Sequence, residues 1–500
     1  MSPSTPVSDP RAAALGHRLK RWLYIVHRWL GVASCVLFAM WFVSGLVMIY
    51  VPFPALTRSE RLVGLPEIDW NLVRLLPGPS PRGPGLDTPP RVLVLEMRGG
   101  LPVWRVRADG GGERTISALD GTLQLPPTEG QARAIAERFG HGSALGVERV
   151  ERDQWTVAGG FDRHRPLWKV ALAGSGRRVL YVSGKTGAVV LDTGRSERFW
   201  NWLGSVPHWL YFTVVRQDNA LWRQVVMWVS GPCILVGATG FWIGILRARL
   251  GRRRYRGGRM TPYRGWMLWH HWAGLVGGVF LITWIFSGWL SVDPFRLFAG
   301  GGVSAEAEAG YERAGWSGTP DLARLARLAR GARQVELAWV QGRPLLEIRW
   351  PESTRVLDAR TLLPLEPTIA PATLMPRARI AGIDRLAAPD AYWYEAGGLP
   401  KLPVLRVRFD DEARTWVHVD PATGRVLGDI DTRGRLYRWL FDLLHKWDFN
   451  LLTLHRPSWD LVLWLLSSLG LVTSVSGIWL GWKRLRRPRR TQAVAATEQV

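Results

Sequence analysis

The chain has only two cysteines in 500 residues, Cys35 and Cys233, and both fall inside apolar runs. That excludes a disulfide framework, and without a CxxC pair there is no thiol-redox or zinc motif. No GxGxxG follows a strand-like stretch, so the flavin and nicotinamide fingerprints are missing as well. Acid is scarce, with 41 Asp and Glu against 65 Lys and Arg for a net charge of +24. In a soluble protein that balance would suggest nucleic acid. Here much of it lies beside apolar runs, where basic residues set topology and face anionic headgroups, so no nucleic-acid partner is expected.

Four stretches lack charge altogether. Residues 30–50, 225–246, 267–292 and 461–482 contain no Asp, Glu, Lys or Arg, and each can cross a hydrocarbon core of roughly 30 Å, which takes about 20 residues. The first exceeds the apolar length of a signal peptide and no small-x-small cleavage site follows it, so it is expected to remain as an anchor. Arginine is dense in 247–264 and 483–490, and Lys20 and Arg21 precede the first run. Basic residues near span ends stay on the cytoplasmic side, so both termini and the 247–264 loop are expected inside and the two long segments outside. The expected organisation is a tail at 1–20, a span within 21–52, an outside module at 53–200, and an approach segment with the second span at 201–246. The basic loop 247–264 follows, then a span within 265–292, a second outside module at 293–435, an approach segment with the fourth span at 436–482, and a tail at 483–500. Trp22, Trp29, Trp200, Trp202, Trp209, Trp439 and Trp447 flank the spans as interfacial anchors.

The chain repeats itself. HRWLGVASCVLFAMWFVSG (27–45) returns as HHWAGLVGGVFLITWIFSG (270–288), 243 positions later. VSGKTGAVV (182–190) returns as VDPATGRVL (419–427), His208 as His445, and GFWIG (240–244) as GIWLG (477–481), each 237 positions later. Each half therefore runs helix, outside segment, approach segment with a histidine, helix. Alternating runs at 103–108, 168–173, 345–350, 404–409 and 416–420 predict strands, and 129–140 and 321–330 have helical spacing, so each outside segment is expected to be a small α+β module. The Pro-rich stretch 77–90 is a loop, and the extreme termini carry no ordering pattern.

His27 and Gly45 are 18 residues apart, five helical turns, so they share one face about 27 Å apart; His270 and Gly288 do the same. Gly31 and Gly274 lie one turn beyond each histidine, where a missing side chain lets a flat group approach. His27 and His270 fall at inner helix ends, whereas His208 and His445 precede the second and fourth spans outside. Gly45 and Gly288 would clear space at the outer level, and Gly240 and Gly477 at the inner one. Imidazole is a common axial ligand of haem iron, and bundle cofactors are held by side chains on facing helices, so a bis-histidine haem at each level is the candidate chemistry. His271 is an equal candidate to His270, only 100° away around the helix. Interfacial histidines and packing glycines are the competing, purely structural account. His17, His141, His164 and His418 fall in the tail or outside segments, where surface or structural roles are expected, and His455 has no histidine counterpart in the first half. Candidate partners for haem propionates are Lys20, Arg28 and Arg264 inside, with Arg216, Arg438 and Arg456 outside. The aromatic cluster AYWYE (391–395) is expected to pack rather than to bind.

The HRW-x-G opening, the Ser-Gly close, VDPATGRVL and the histidine before the next span resemble the PepSY-associated transmembrane proteins, which include inner-membrane ferric-siderophore reductases. Most of 17–485 shares the pattern, with HHWAG in place of the HRW form in the second copy and no Asp in VSGKTG. The resemblance implies an integral membrane protein, a four-helix transmembrane bundle with two periplasmic α+β (PepSY-like) modules arising by internal duplication. It also implies b-type haem on His27, His208, His445 and either His270 or His271. The expected activity is electron transfer across the bacterial inner membrane to a ferric siderophore or another periplasmic acceptor, drawing on quinol or a cytoplasmic reductase. Two further readings remain open: a non-enzymatic membrane protein binding a periplasmic peptide or protein, and a haem subunit serving a partner oxidoreductase.

Overall fold

The structure, a computed structural model, describes residues 10–76, 90–108, 113–174, 176–313, 320–365, 370–395, 400–453 and 455–486. Of the Pro-rich stretch 77–90 only Pro90 is described, at the start of a strand; residues 77–89, the first nine residues and the last fourteen lie outside the described residues.

Among the described residues three helices are long and apolar enough to cross a membrane: Leu15–Met48 within the helix Pro10–Met48, then Asn219–Arg247, then Arg456–Leu485. Asp218 caps the second of these, its carboxylate accepting from the amides of Ala220 and Leu221, which satisfies donors that a helix start leaves open. The third apolar run, expected as one continuous span, is instead two helices, Trp266–Val276 and Gly278–Leu290, bent by 64°. The break falls at Gly277-Gly278, and both glycines are there for close approach. A Cβ on Gly277 would lie 3.2 Å from Leu469 Cβ of the last helix, and one on Gly278 would lie 2.8 Å from Phe241 of the second. The corresponding pair in the first span is Ser34-Cys35, and there the helix runs straight through. Phe38, Phe42, Cys233, Val236, Leu281 and Ile285 form the apolar centre of the bundle. Phe42 occupies the place where a side chain on Gly470 would otherwise stand.

All fourteen strands of the described residues come from the two long segments between helices. The first segment supplies β1 (Pro90–Arg98), β2 (Leu101–Ala108), β3 (Glu113–Ser117), β4 (Ala144–Val150), β5 (Leu167–Leu172), β6 (Val179–Ser183) and β7 (Val189–Thr193). The second supplies β8 (Gln334–Val340), β9 (Arg343–Arg349), β10 (Thr354–Asp358), β11 (Ile380–Leu386), β12 (Val404–Phe409), β13 (Trp416–Val419) and β14 (Val426–Ile430). They do not form two self-contained modules. β1–β3 and β8–β10 join in a single six-stranded sheet of order β10-β9-β8-β1-β2-β3, while β4–β7 and β11–β14 form two four-stranded sheets. The central seam pairs Val94 with Glu336, antiparallel. Setting Gly100-Leu101-Pro102 on Gly342-Arg343-Pro344 relates the two hairpins by 242 positions, which makes Glu336 the counterpart of Val94 itself. A local two-fold axis therefore passes through that pair. Period-2 alternation predicts strands but cannot choose their partners, which is why this seam was not foreseen.

The six-stranded sheet has one apolar and one charged face. Leu93, Leu95, Trp104, Val106, Val335, Leu337, Leu346 and Ile348 belong to a buried apolar cluster. On the other face Glu96, 1% exposed, accepts from Arg61, Arg105 and Gln334. Burial alone would raise its pKa, but the two guanidinium groups and the hydrogen bonds hold it down to about 2. Across the seam Glu347 is held down likewise, against its burial, by Arg349 and Arg425. The tight turns of the four-stranded sheets dock onto this face in charge-swapped fashion. Arg105 donates to the carbonyl of Thr186 in one turn at 3.0 Å, whereas Arg425 of the other turn reaches Glu336 and Glu347 at 2.6 and 3.0 Å. Buried charges are tolerated where they are paired and hydrogen-bonded in this way.

Candidate histidine clamps in the helix bundle

Four helix segments carry the same local device: a backbone carbonyl, a hydroxyl residue three positions on, and a glycine next to it. They are Trp41/Ser44/Gly45, Val236/Thr239/Gly240, Trp284/Ser287/Gly288 and Thr473/Ser476/Gly477. In each, the hydroxyl donates back to its own helix: Ser44 to Met40 O at 2.6 Å, Thr239 to Leu235 O at 2.5 Å, Ser287 to Trp284 O at 3.0 Å and Ser476 to Val472 O at 2.7 Å. A hydroxyl has one proton, so its remaining capacity is to accept. The glycine removes the side chain that would cover this spot.

Into each notch fits one imidazole from a neighbouring segment. His208 Nδ1 bonds Ser44 Oγ at 3.0 Å, and His445 Nδ1 bonds Ser287 Oγ at 3.0 Å and Trp284 O at 3.3 Å. His27 Nδ1 bonds Val236 O at 3.2 Å, and His270 Nδ1 bonds Thr473 O at 3.0 Å and Ser476 Oγ at 3.1 Å. The carbonyls facing His27, His270 and His445 can only accept, so these Nδ1 atoms carry the proton; at His208 the Ser44 hydroxyl, whose own proton goes to Met40 O, takes the accepting role. None of these hydrogen bonds uses Nε2, which keeps its lone pair. The rings are wedged between helices, and each of the four residues is half-buried.

The glycines set the fit. A Cβ at Gly240 would stand 2.5 Å from His27 Cε1, at Gly45 3.2 Å from His208 Cε1, at Gly288 3.3 Å from His445 Cε1, and at Gly477 3.3 Å from His270 Cε1. Gly31 and Gly274 do something else: their nearest outside atoms are Val236 Cγ1 at 3.9 Å and Thr473 Cγ2 at 3.6 Å, ordinary helix packing.

The imidazoles come in two pairs. The ring centroids of His27 and His270 are 6.3 Å apart with planes at 45°, and those of His208 and His445 are 6.1 Å apart at 68°. The first pair lies on the side of the basic loop, where Arg247 bonds the Tyr24 hydroxyl at 2.7 Å. The second lies on the side of the sheets. His271 belongs to neither pair: its Nε2 bonds Gly244 O at 3.0 Å and its ring abuts Tyr263. The arrangement thus distinguishes His270 from His271, as spacing in the sequence could not. Such an arrangement can offer two nitrogen lone pairs to a single group at each level.

His445 sits just after a π-helical turn, Arg438–Leu443, a distortion that recurs at functional sites. Arg438 forms a buried ion pair with Asp448 at 2.9 Å and donates to Ala391 O, so it fixes this segment. Arg216 stacks on Tyr211 and Trp222, and Arg456 pairs with Asp460. His164 and His418 are buried in the sheet region; His418 accepts from Arg406 at 3.0 Å beneath Trp393. Burial, together with Arg406, pushes the pKa of His418 down to about 4. Tyr392 of the aromatic cluster packs on Trp416 and Trp439. The sequence reading found the histidines and their glycines but missed the hydroxyls. The signal was present, since Ser or Thr precedes the glycine in all four notches.

Residues 24–339 and 332–498 match the model of the PepSY-associated TM region. No curated protein matches the chain.

Proposed function

The chain belongs to the PepSY-associated TM region family, and from that premise we propose that this multi-pass membrane protein holds two b-type haems and passes electrons to ferric iron in a periplasmic siderophore. The observation that carries this reading is the pairing of four imidazoles that all present a free Nε2. An imidazole nitrogen sits about 2.0 Å from a bound metal and about 1.1 Å from its own ring centre, so two imidazoles across one iron put their centroids about 6 Å apart. The pairs measure 6.3 and 6.1 Å. Aromatic rings in plain contact span a similar range, so the spacing takes its meaning from the tautomers. Four Nδ1 protons tied to carbonyls and hydroxyls, with four Nε2 lone pairs unused, is how proteins orient metal-binding histidines.

The residues fit the group. Among the described residues no cluster of three or more metal-ligating side chains occurs, and a bis-imidazole haem needs only two, the macrocycle supplying the rest. Bound there, haem would supply a one-electron carrier at each level. The chain's own part would be to present Nε2 of His27, His270, His208 and His445 to the group, to raise its basicity through the Nδ1 hydrogen bonds, and to keep water away with the apolar cluster around Phe38 and Phe42. On this reading the bent pair is the third of four crossings, the halves arose by duplication, and the arginine-rich loop keeps both termini in the cytoplasm. Electrons would come from quinol or a separate cytoplasmic reductase, since the sequence lacks a nucleotide-binding fingerprint.

The test is anaerobic stopped-flow mixing of dithionite-reduced protein, freed of excess reductant, with a ferric hydroxamate siderophore, while a ferrous chelator reports released Fe(II). Reoxidation that keeps pace with Fe(II) release supports the proposal. Protein that stays reduced beside the ferric chelate, yet is reoxidised by another acceptor, refutes siderophore as the acceptor.

A further inference from the structure

On the charged face of the central sheet, Arg98 has no counter-charge among the described residues. Arg98, the last residue of β1, is only 9% exposed. Its Nη2 donates to Leu125 O at 2.9 Å; among the described residues its buried Nη1 has no hydrogen-bond partner and its guanidinium forms no ion pair. Glu96, two residues back on the same face, is already engaged by Arg61, Arg105 and Gln334. Burial and the neighbouring Arg105 lower the Arg98 pKa to about 10, which says the same thing electrostatically: the site disfavours a bare positive charge.

Two more cations converge on this corner. The β1–β2 hairpin turns on Gly99-Gly100, both at positive φ, a two-residue loop that glycine permits. A Cβ on Gly100 would lie 2.5 Å from Arg138 Nη1, so the guanidinium of Arg138 rests on that turn. The turn after β6 brings Gly187 against Arg98, with 2.7 Å between its would-be Cβ and Arg98 Nε, and Lys185 stands exposed in the same turn. Neither Arg138 nor Lys185 forms a side-chain hydrogen bond or ion pair among the described residues. The matching position across the local two-fold is Val340, the counterpart of Arg98 at 242 positions, so this feature belongs to one half only. A buried guanidinium is tolerated when an anion meets it, and planar oxyanions are its best partners.

We propose that Arg98, Arg138 and Lys185 form a binding site for an oxyanion of the carboxylate or phosphate type, set between the Gly99-Gly100 turn and the Lys185–Gly187 turn. The site is independent of whatever the histidines hold. Arg98 supplies the buried positive charge at the base of the site, and Arg138 and Lys185 close the rim. In a periplasmic setting the natural ligands are carboxylate-bearing chelators or inorganic phosphate.

The experiment is thermal unfolding and calorimetry of the full-length protein in detergent, titrated with citrate or with inorganic phosphate at ionic strength held constant with chloride. The expected result is saturable stabilisation by at least one of the two anions. The Arg98→Gln substitution should weaken binding by about tenfold or more, Arg138→Gln and Lys185→Gln less, and Arg149→Gln on exposed β4 not at all. Citrate binding alone assigns a carboxylate site, and phosphate binding alone assigns a phosphate site. With no anion present, Arg98→Gln should unfold at a higher temperature than the parent, because a buried unpaired charge is removed. No stabilisation beyond chloride, or binding unchanged in Arg138→Gln and Lys185→Gln, overturns the proposal. Should Arg98→Gln fail to fold, the two rim variants decide it, because both side chains are exposed and can be removed without disturbing the sheet.

Discussion

Gly240→Ala is the sharpest perturbation of the histidine clamps. In a helix interior, glycine to alanine ordinarily stabilises by about 1 kcal/mol, because alanine has the better propensity. At Gly240 the added methyl would stand 2.5 Å from His27 Cε1, nearly 1 Å inside ordinary contact. Either the second helix shifts or the imidazole leaves its notch, and overpacking of this kind costs about 1–3 kcal/mol. If the ring yields, the Nδ1 bond to Val236 O is lost with it. Loss of an orienting partner weakens metal binding by about 10–100-fold. Gly31→Ala is the control, since its methyl would meet only Val236 at 3.9 Å. The assay is haem content per chain together with a potentiometric titration followed optically. Gly240→Ala should lose or shift the loop-side component and leave the sheet-side one in place, whereas Gly31→Ala should match the parent. Equal spectra and equal potentials in Gly240→Ala and the parent would refute the assignment of His27 to a site beside Gly240.

Three other outcomes follow from the geometry. Ser287→Ala and Ser44→Ala should each loosen haem at the sheet-side level by about 10–100-fold, measured by competitive haem transfer against the parent. Acid should destabilise the sheet region in two windows. His418, with its pKa lowered to about 4, binds its proton more weakly folded than unfolded, so its contribution is intact above about 6.5 and is lost as pH falls through 4. Glu96, lowered to about 2, contributes fully above about 4.5 and loses this as pH falls towards 2. Unfolding temperature against pH should therefore flatten in its upper window in His418→Gln and in its lower window in Glu96→Gln; a profile shared by parent and variants would contradict both. Finally, Val92→Cys with Ala338→Cys sits on the β1–β8 seam, and its oxidation should hold the two halves together after cleavage within 247–264, seen by non-reducing electrophoresis.

Much of this was legible in the sequence because its signals are local. The helix Glu129–Gly140 follows from its spacing and its Thr128/Gln131 capping box, and the histidines stood out because they recur at matched spacings in the sequence. What escaped is non-local. Whether β1 pairs with β8 depends on which faces meet in space, and strand periodicity is blind to that. The break at Gly277 was equally hidden, since Gly-Gly in an apolar run is compatible with a straight packed span; only Phe241 and Leu469 closing in from two sides show why the helix parts there. Likewise His270 and His271 are equivalent by type and differ only in what lies opposite them, Thr473 and Ser476 in one case and Gly244 in the other.

The claim that four Nδ1-tethered imidazoles hold two haems is tested most directly by an optical spectrum of the detergent-purified protein, air-oxidised and then dithionite-reduced, with haem counted per chain. The account predicts a low-spin b-type spectrum with two haems per chain, falling to about one in either His27→Ala or His445→Ala and to none in the double variant. A protein made with ample haem that binds none, or that keeps both haems in His27→Ala and His445→Ala alike, would contradict it.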